Sequence, residues 1–368
     1  MADLLDGFSI GITADRRSGE QISLLEGRGA SCIHGPTLET FLPVPAAEVL
    51  EATKRVLESE ADAFISMTGI GVRGWFEVAD AQGCGEELRD RLASLRVFTR
   101  GPKALGALTT AGLDVDWVAR VPTVEQLIVG VRQEYGEPAR IIVQNDGAPE
   151  SAVALALRDL GHEVIEVPVY RWALPADREP ARVLTRAVVD RRVDAVTFTS
   201  RPAVENLMIV ADELGVRADV IDALNTAVLP VCVGPVCAAA VVGARMGEPI
   251  QPARYRLGAM VQQLTDALLG RIVTFRLGGF DLELRGQLVR GEGDDMMLAG
   301  RERDLLCALL VRNGAVATKE ELLESVWGSQ EPGTHVVEVT VGRLRRRLGT
   351  CGVGIETVMR RGYRASPD

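Results

Sequence analysis

Two stretches of this 368-residue chain align without a gap at an offset of 132: "DAFISMTGIGVRGWFEVAD" (62–80) and "DAVTFTSRPAVENLMIVAD" (194–212), identical at six of 19 positions. At the same offset Gly29 meets Gly161, Ile33 meets Ile165 and Pro36 meets Pro168; one residue further on, Gly101-Pro102 meets Gly234-Pro235. An offset shared by separate places marks an internal duplication. It restricts residues 1–265 to two copies of one unit, each about 130 residues long.

Each copy alternates strands and helices. "SIGIT" and "RIIVQ" are short apolar strands, followed by the helices "EQISLLEGRG" and "ESAVALALRDLG", each closed by a glycine. "ASCIHGP" and "HEVIEVP" are strands ended by proline, "DAFISMT" and "DAVTFTS" run into a hydroxyl before a helix, and "RVFTRGP" and "VLPVCVGP" turn on Gly-Pro. This alternation predicts parallel sheets flanked by helices. Ligands of such sheets bind beyond the carboxyl ends of the strands. The residues there are Thr68, Gly69, Arg100, Gly101, Lys103, Thr199, Ser200, Arg201 and Gly234. Free N–H groups, hydroxyls and cations at helix starts suit an anionic ligand; Thr68 and Ser200 fit plain helix N-caps equally well. "GIGVRG" (69–74) matches a dinucleotide fingerprint, but it stands at the third strand of its copy and its partner "RPAVEN" has no glycine, which argues against nucleotide binding. No Walker motif, G-x-S-x-G or Ser/His/Asp set is present.

After Gly270 the grammar changes. "RIVTFRL", "FDLELR", "GQLVRG" and "DMMLA" read as an antiparallel meander. "RERDLLCALLVRNG" (301–314) is an amphipathic helix ended by glycine, and Thr318 with Glu321 forms a capping box opening "TKEELLESVWG". "HVVEVTVGRLRRRLG" (335–349) is β-branched in its first half, which favours a strand. On a helix, however, Val337, Val341, Leu344 and Leu348 fall within about 60° of one another, with Val339, Arg343 and Arg346 opposite. The helix accounts for every apolar position and the strand does not. "IETVMRRGYRA" (355–365) is a hairpin.

Charge divides along the same line. Residues 271–368 hold 15 Lys+Arg against 14 Asp+Glu, a net of +1, and the preceding 270 hold 26 against 37, a net of -11. Seven arginines lie within 334–364 against Glu338 and Glu356. An acidic body with a local basic segment is the pattern of a DNA-binding tail on a body that does not bind DNA. No cysteines form C-x-x-C and there are three histidines, so neither a metal site nor a cofactor is expected. Asp3 and Asp6 interrupt any apolar leader, so the thiols are expected reduced and the protein cytoplasmic. Proline and glycine break the apolar run 227–244, so no membrane partner is expected.

The duplicated unit, its D-A-x-x-F-T-S and Gly-Pro turns and "VPVYR" (167–171) resemble the uroporphyrinogen-III synthase family over about 1–265. The resemblance implies an α/β fold of two parallel-sheet lobes with a segment crossover: 1–40 with 172–265, and 41–171. It also implies a flexible linear tetrapyrrole substrate bearing carboxylates, bound between the lobes, with Tyr170 as the assisting tyrosine if the chain is an enzyme. Thr199, Ser200 and Gly234 match the family's strand-end hydroxyls and glycine turn. The chain departs from the family at Thr68-Gly69-Ile70-Gly71, at Val236-Cys237 and at "TADRR", which leaves Arg16 or Arg17 as the cation there.

Residues 272–368 resemble the OmpR/PhoB-type winged helix-turn-helix, through "KEELLESVWG", "VEVTVGRLRRRL" and "GYR". By that resemblance the third helix enters the major groove of double-stranded DNA. Arg343 would reach base edges and Val339 thymine methyls. Arg345, Trp327, Thr340 and Thr357 would lie near phosphates, with Arg346 and Arg347 as electrostatic support. Trp327 fits a core position equally well. At the wing, Met359 stands where the family carries arginine, followed by Arg360 and Arg361. No phosphoacceptor receiver precedes this domain, since only Asp15 follows the first strand. The fusion is similar to actinobacterial regulators of nitrate/nitrite assimilation. It implies a transcription regulator sensing an anionic, tetrapyrrole-related ligand, with a second regulator or self-association as further partners. The alternatives are an active synthase with a DNA-binding tail and a body serving protein contact alone.

Overall fold

The computed structural model describes residues 3–41, 44–148, 151–291, 295–328 and 333–367. The chain opens with β1 (Ser9–Ile12), α1 (Ser18–Glu26) and β2 (Ser31–His34). A second segment follows: β3 (Glu39–Phe41), α2 (Ala46–Glu58), β4 (Ala63–Ser66), α3 (Gly69–Ala81), α4 (Gly85–Ala93), β5 (Arg96–Thr99), α5 (Pro102–Thr110), β6 (Trp117–Val118), α6 (Val124–Glu134), β7 (Arg140–Gln144), α7 (Ala152–Asp159), β8 (Glu163–Val167) and β9 (Arg171–Ala173). Then come α8 (Glu179–Val189), β10 (Ala195–Phe198), α9 (Arg201–Glu213), α10 (Arg217–Thr226), β11 (Leu229–Cys232), α11 (Pro235–Gly243) and α12 (Leu257–Leu269). The last part holds β12 (Val273–Leu277), β13 (Phe280–Arg285), β14 (Leu288–Arg290), β15 (Met296–Met297), α13 (Gly300–Leu310), α14 (Lys319–Trp327), α15 (His335–Arg347), a 3-10 turn, β16 (Ile355–Val358) and β17 (Gly362–Ala365).

Two parallel sheets carry the duplicated part, in the orders β6-β5-β4-β7-β8 and β11-β10-β1-β2. The places of β7 and β8 beside β4 are those of β1 and β2 beside β10. The chain's first segment therefore completes the sheet of its second copy, which is why Gly29 and Gly161 coincide: both leave a helix with left-handed backbone, at φ 91° and 86°. Strands β4 and β10 are buried along their whole length, as central strands with helices on both faces must be. In one unit, 38–176, helices α2 to α5 cover one face around Trp75 and α6 and α7 the other. In the other unit, 1–37 with 177–368, helices α8 to α11 cover one face and α1 and α12 the other. The antiparallel ladder of β3 on β9 belongs to the 38–176 unit.

The last part is a winged helix. Four antiparallel strands, β12 to β15, and the β16–β17 hairpin enclose a core of Leu305, Leu306, Leu309, Leu322, Val326, Val337, Val341 and Leu344. The capping box is complete: Glu321 N–H donates to Thr318 Oγ1 at 3.1 Å, and Thr318 N–H to Glu321 Oε2 at 2.9 Å. Thr318→Ala should cost about 1 kcal/mol, read as a lower urea midpoint at unchanged slope. Along 335–347 the helix prevails over β-branched propensity, because Val337, Val341, Leu344 and Leu348 all reach the core.

Candidate nucleic-acid interface and ligand residues

On the outer face of α15, Val339, Arg343 and Arg346 are exposed, and neither arginine has a side-chain partner among the described residues. At the wing tip Met359 is 81% exposed, and Arg360 takes left-handed backbone at φ 60°. Arg360 and Arg361 likewise have no side-chain partner among the described residues, so four free guanidiniums stand on the helix and wing of one domain. Gly362 lets the wing close: at φ 130° a Cβ there would lie 1.9 Å from the Ala317 carbonyl oxygen.

The other residues expected at phosphates are used within the domain. Arg345 is half-buried; its Nε donates to the Ile355 carbonyl at 2.7 Å and its Nη2 to Thr357 Oγ1 at 2.9 Å, with the guanidinium 5.8 Å over the Tyr363 ring. Arg345 and Thr357 thus pin the helix to the wing. Thr340 stands three residues after Val337 and four before Leu344, which puts it on the buried stripe, and its hydroxyl donates to the Val336 carbonyl at 2.8 Å. Arg347 Nε lies 3.4 Å from the buried Glu302 carboxylate. Trp327 is half-buried against the core, with the Arg301 guanidinium 6.0 Å over its ring.

In the 38–176 unit, Thr68 caps α3, accepting from Gly71 N–H at 3.2 Å. The same oxygen accepts from the Tyr170 hydroxyl at 3.2 Å, and Gln144 Oε1 accepts from Thr68 N–H at 3.1 Å. Tyr170 is buried, packed on Gly147, where a Cβ would come within 2.6 Å of the ring. Gly69 and Gly71 of "GIGVRG" serve close packing: a Cβ at Gly69 would lie 2.2 Å from the Lys103 carbonyl oxygen, and one at Gly71 1.8 Å from Gln144 Nε2. Arg100 donates to Asp146 Oδ2 at 2.9 Å, Gly101 is extended at the start of α5, and Lys103 is exposed. A cavity of about 280 Å³ adjoins Tyr170, lined also by Arg55, Asn145, Arg158 and Arg171. No sequence signal marks Arg55 on α2, Asn145 after β7 or Arg158 on α7, which have no motif around them, whereas Arg171 closes "VPVYR".

In the other unit, Arg17 takes left-handed backbone at φ 58° and is held by Glu20 through two hydrogen bonds of 2.7 and 2.8 Å. Arg16 is exposed without such a partner among the described residues, which singles it out from the expected pair. Ser200 stands at the N-cap of α9 but, unlike Thr68, caps nothing; its Oγ is shielded and has no partner among the described residues. Thr199 lies beside it half-buried, and Arg201 is exposed and bonded to Glu205 at 2.7 Å. Gly234 is extended at the start of α11, where a Cβ would lie 3.1 Å from the ring of Tyr255. Tyr255, half exposed and overlooked in the sequence, is thus the aromatic neighbour of that turn.

Three comparisons bear on these arrangements. The family described as uroporphyrinogen-III synthase HemD matches residues 20–262, and the family described as transcriptional regulatory protein, C terminal, matches 293–365. The putative uroporphyrinogen-III synthase of Methanothermobacter thermautotrophicus is 30% identical over 220 residues, 60% of this chain and 83% of that one. The transcriptional regulatory protein PrrA of Mycobacterium tuberculosis is 34% identical over 98 residues, 26% of this chain and 42% of that one. A solved structure of a mutant uroporphyrinogen III synthase from the extremely thermophilic bacterium Thermus thermophilus superposes with a TM-score of 0.62 at 29% identity, over 72% of this chain and 99% of that one. Among the described residues no helix is long and apolar enough to cross a membrane.

Proposed function

Because the chain belongs to the uroporphyrinogen-III synthase HemD family over residues 20–262 and joins to it an OmpR/PhoB-type DNA-binding domain, we propose that it is a transcription regulator that binds double-stranded DNA and senses a small anionic ligand of the tetrapyrrole class through its synthase-like body. The carrying observation is α15: a buried apolar stripe fixes the helix while Arg343 and Arg346 face outward without partners among the described residues. Arg343 is the base reader on this reading, and Arg346, Arg360 and Arg361 add backbone attraction. In the unit of 1–37 with 177–368, Arg16, Thr199 and Ser200 are the groups left to receive carboxylates; in the 38–176 unit, Lys103 is. The genes controlled include those of nitrate or nitrite assimilation, since nitrite reductase requires sirohaem, a tetrapyrrole product.

An electrophoretic mobility assay with DNA upstream of the protein's own gene tests the DNA-binding half. Retention is expected at low salt and falls as salt rises, because phosphate contacts release counterions; no retention at low salt contradicts it. Arg343→Ala should weaken specific binding by about 1–3 kcal/mol and relax sequence preference at the contacted position.

A second reading, an active synthase with a DNA-binding tail, draws on the Tyr170 hydroxyl held at Thr68. Incubation with hydroxymethylbilane separates the two: type III product in excess over spontaneous closure supports the enzyme, and no excess leaves the sensor.

A further inference from the structure

The duplication supplies its own control for one contact. Asp62 and Asp194 occupy equivalent places, each just before the central strand of its sheet, and each accepts a backbone N–H from the neighbouring strand at 2.8 Å: Arg140 for Asp62, Ser9 for Asp194. Asp62 is exposed, whereas Asp194 is 3% exposed. The difference is the DNA-binding domain. Arg303 of α13, itself 7% exposed, donates from Nη1 to the second oxygen of Asp194 at 2.8 Å.

The seam around that pair is built from both sides. Arg191, 6% exposed, reaches Asp304 of α13 at 2.5 Å and Asp222 of α10 at 2.8 Å, and its carbonyl accepts from Gln287 Nε2 at 3.0 Å. Three glycines bring the backbones together: a Cβ at Gly7 would lie 2.7 Å from Leu288 Cβ, one at Gly286 2.6 Å from the Gly7 carbonyl oxygen, and one at Gly300 2.3 Å from the Asp190 carbonyl oxygen. The covalent link is equally short, since α12, with Met260, Val261, Leu264 and Leu268 fully buried, ends at Leu269 and β12 begins at Val273. Relative motion is the default for domains that meet over a small interface; here close backbone approach, buried ion pairs and a short covalent link act together. A pair of desolvated ions also holds only in good geometry.

We infer that the DNA-binding domain is a fixed extension of the β11-β10-β1-β2 lobe, with Asp194–Arg303 and Arg191–Asp304 as positioning contacts through which a ligand at the opposite end of β1 and β10 alters DNA affinity. Those two strands run in register from Ile10–Ala195 to Ile12–Thr197, and Thr13 Oγ1 donates to the Thr197 carbonyl at 2.7 Å just beyond. One end of the pair meets the seam; the other leads to Arg16, Thr199 and Ser200. A four-residue strand spans about 13 Å, so the two ends are joined by a short, buried, hydrogen-bonded ladder. The seam uses α13 and the β13–β14 turn and leaves Arg343 and Arg346 exposed, so docking does not cover the DNA-reading face. The coupling rests on the ligand reading of the proposed function; the fixed seam does not.

Hydrogen exchange on the full chain reads the seam without any ligand. In the doubly substituted variant Asp304→Asn, Gln287→Ala, peptides covering 190–198 and 299–306 should lose protection together, while peptides covering 63–66 keep theirs. Unchanged exchange at 190–198 overturns the fixed seam. Gln287→Ala alone, which removes one half-buried contact, gives the same readout in smaller degree should the double variant fail to fold. The coupling is read with hydroxymethylbilane as probe. The variant should bind DNA within about twofold of wild type and still bind the probe by thermal shift, but lose the change in DNA affinity that the probe causes in wild type, which for coupled sites is about fivefold or more. A variant that keeps the full change overturns the coupling. A wild-type protein that binds the probe and shows no change overturns the coupling together with the ligand reading, and leaves the seam to the exchange result.

Discussion

Arg303→Ala should destabilise the protein by about 3–5 kcal/mol, because it strands a carboxylate that has almost no access to water. Asp194 would keep its bond from Ser9 N–H but lose the guanidinium that balances its charge. Burial already pushes the Asp194 carboxyl up, with Asp304 adding to it, against the pull of Arg303, of the Ser9 N–H and, more weakly, of Arg271. The sign with pH follows. A folded-state pKa above the ordinary 3.8 means that the folded variant binds a proton the unfolded chain has released, so its stability falls as pH rises from that value. The deficit of Arg303→Ala should therefore be largest at neutral pH and shrink toward pH 4, measured by urea unfolding across that range. Combining Arg303→Met with Asp194→Asn should recover more than half of the loss, since the amide oxygen still accepts from Ser9 and neither member of that pair is left charged without the other. A loss below about 1 kcal/mol, the worth of an exposed pair, would contradict a desolvated seam.

Leu344→Ala should cost about 2–5 kcal/mol. Leu344 is fully buried beside Val337, Val341 and Leu348, and its removal leaves a cavity between α15 and α13 that the short helix cannot collapse into without tilting. DNA retention should fall with it, although Leu344 faces away from DNA, because Arg343 is its neighbour on the same helix. Val339→Ala, on the exposed face, should leave stability within about 0.5 kcal/mol. Thermal unfolding of the two variants beside a mobility assay checks both. Equal stabilities would mean that the stripe does not carry the helix.

The duplication is readable because strand ends are punctuated: Gly-Pro after one strand, Thr or Ser after another, glycine after a helix. The third helix is readable because the spacing of Val337, Val341, Leu344 and Leu348 decides against the local β-branched preference. Sheet order is not written locally. β1 pairs with β10 across some 185 residues, and nothing in "SIGIT" names its partner. The seam is hidden for a related reason. "RERD" reads as a solvated first turn of an amphipathic helix, and only the tertiary partners Asp194 and Arg191 turn Arg303 and Asp304 inward. Among the site residues, motif matching places Thr340, Arg345 and Thr357 at phosphates by position alone, whereas the hydrogen bonds to Val336, Ile355 and each other use them inside the domain. At the strand ends, residue type does not separate Thr68, which caps its helix, from Ser200, which does not.

The most direct test is the DNA affinity of the full chain, by mobility shift at one fixed salt concentration, with and without saturating hydroxymethylbilane, its occupancy confirmed by a rise in melting temperature. A regulator whose synthase-like body controls its DNA-binding domain should show an apparent Kd shifted about fivefold or more, in either direction. The same Kd in both conditions, with the probe bound, would contradict that account.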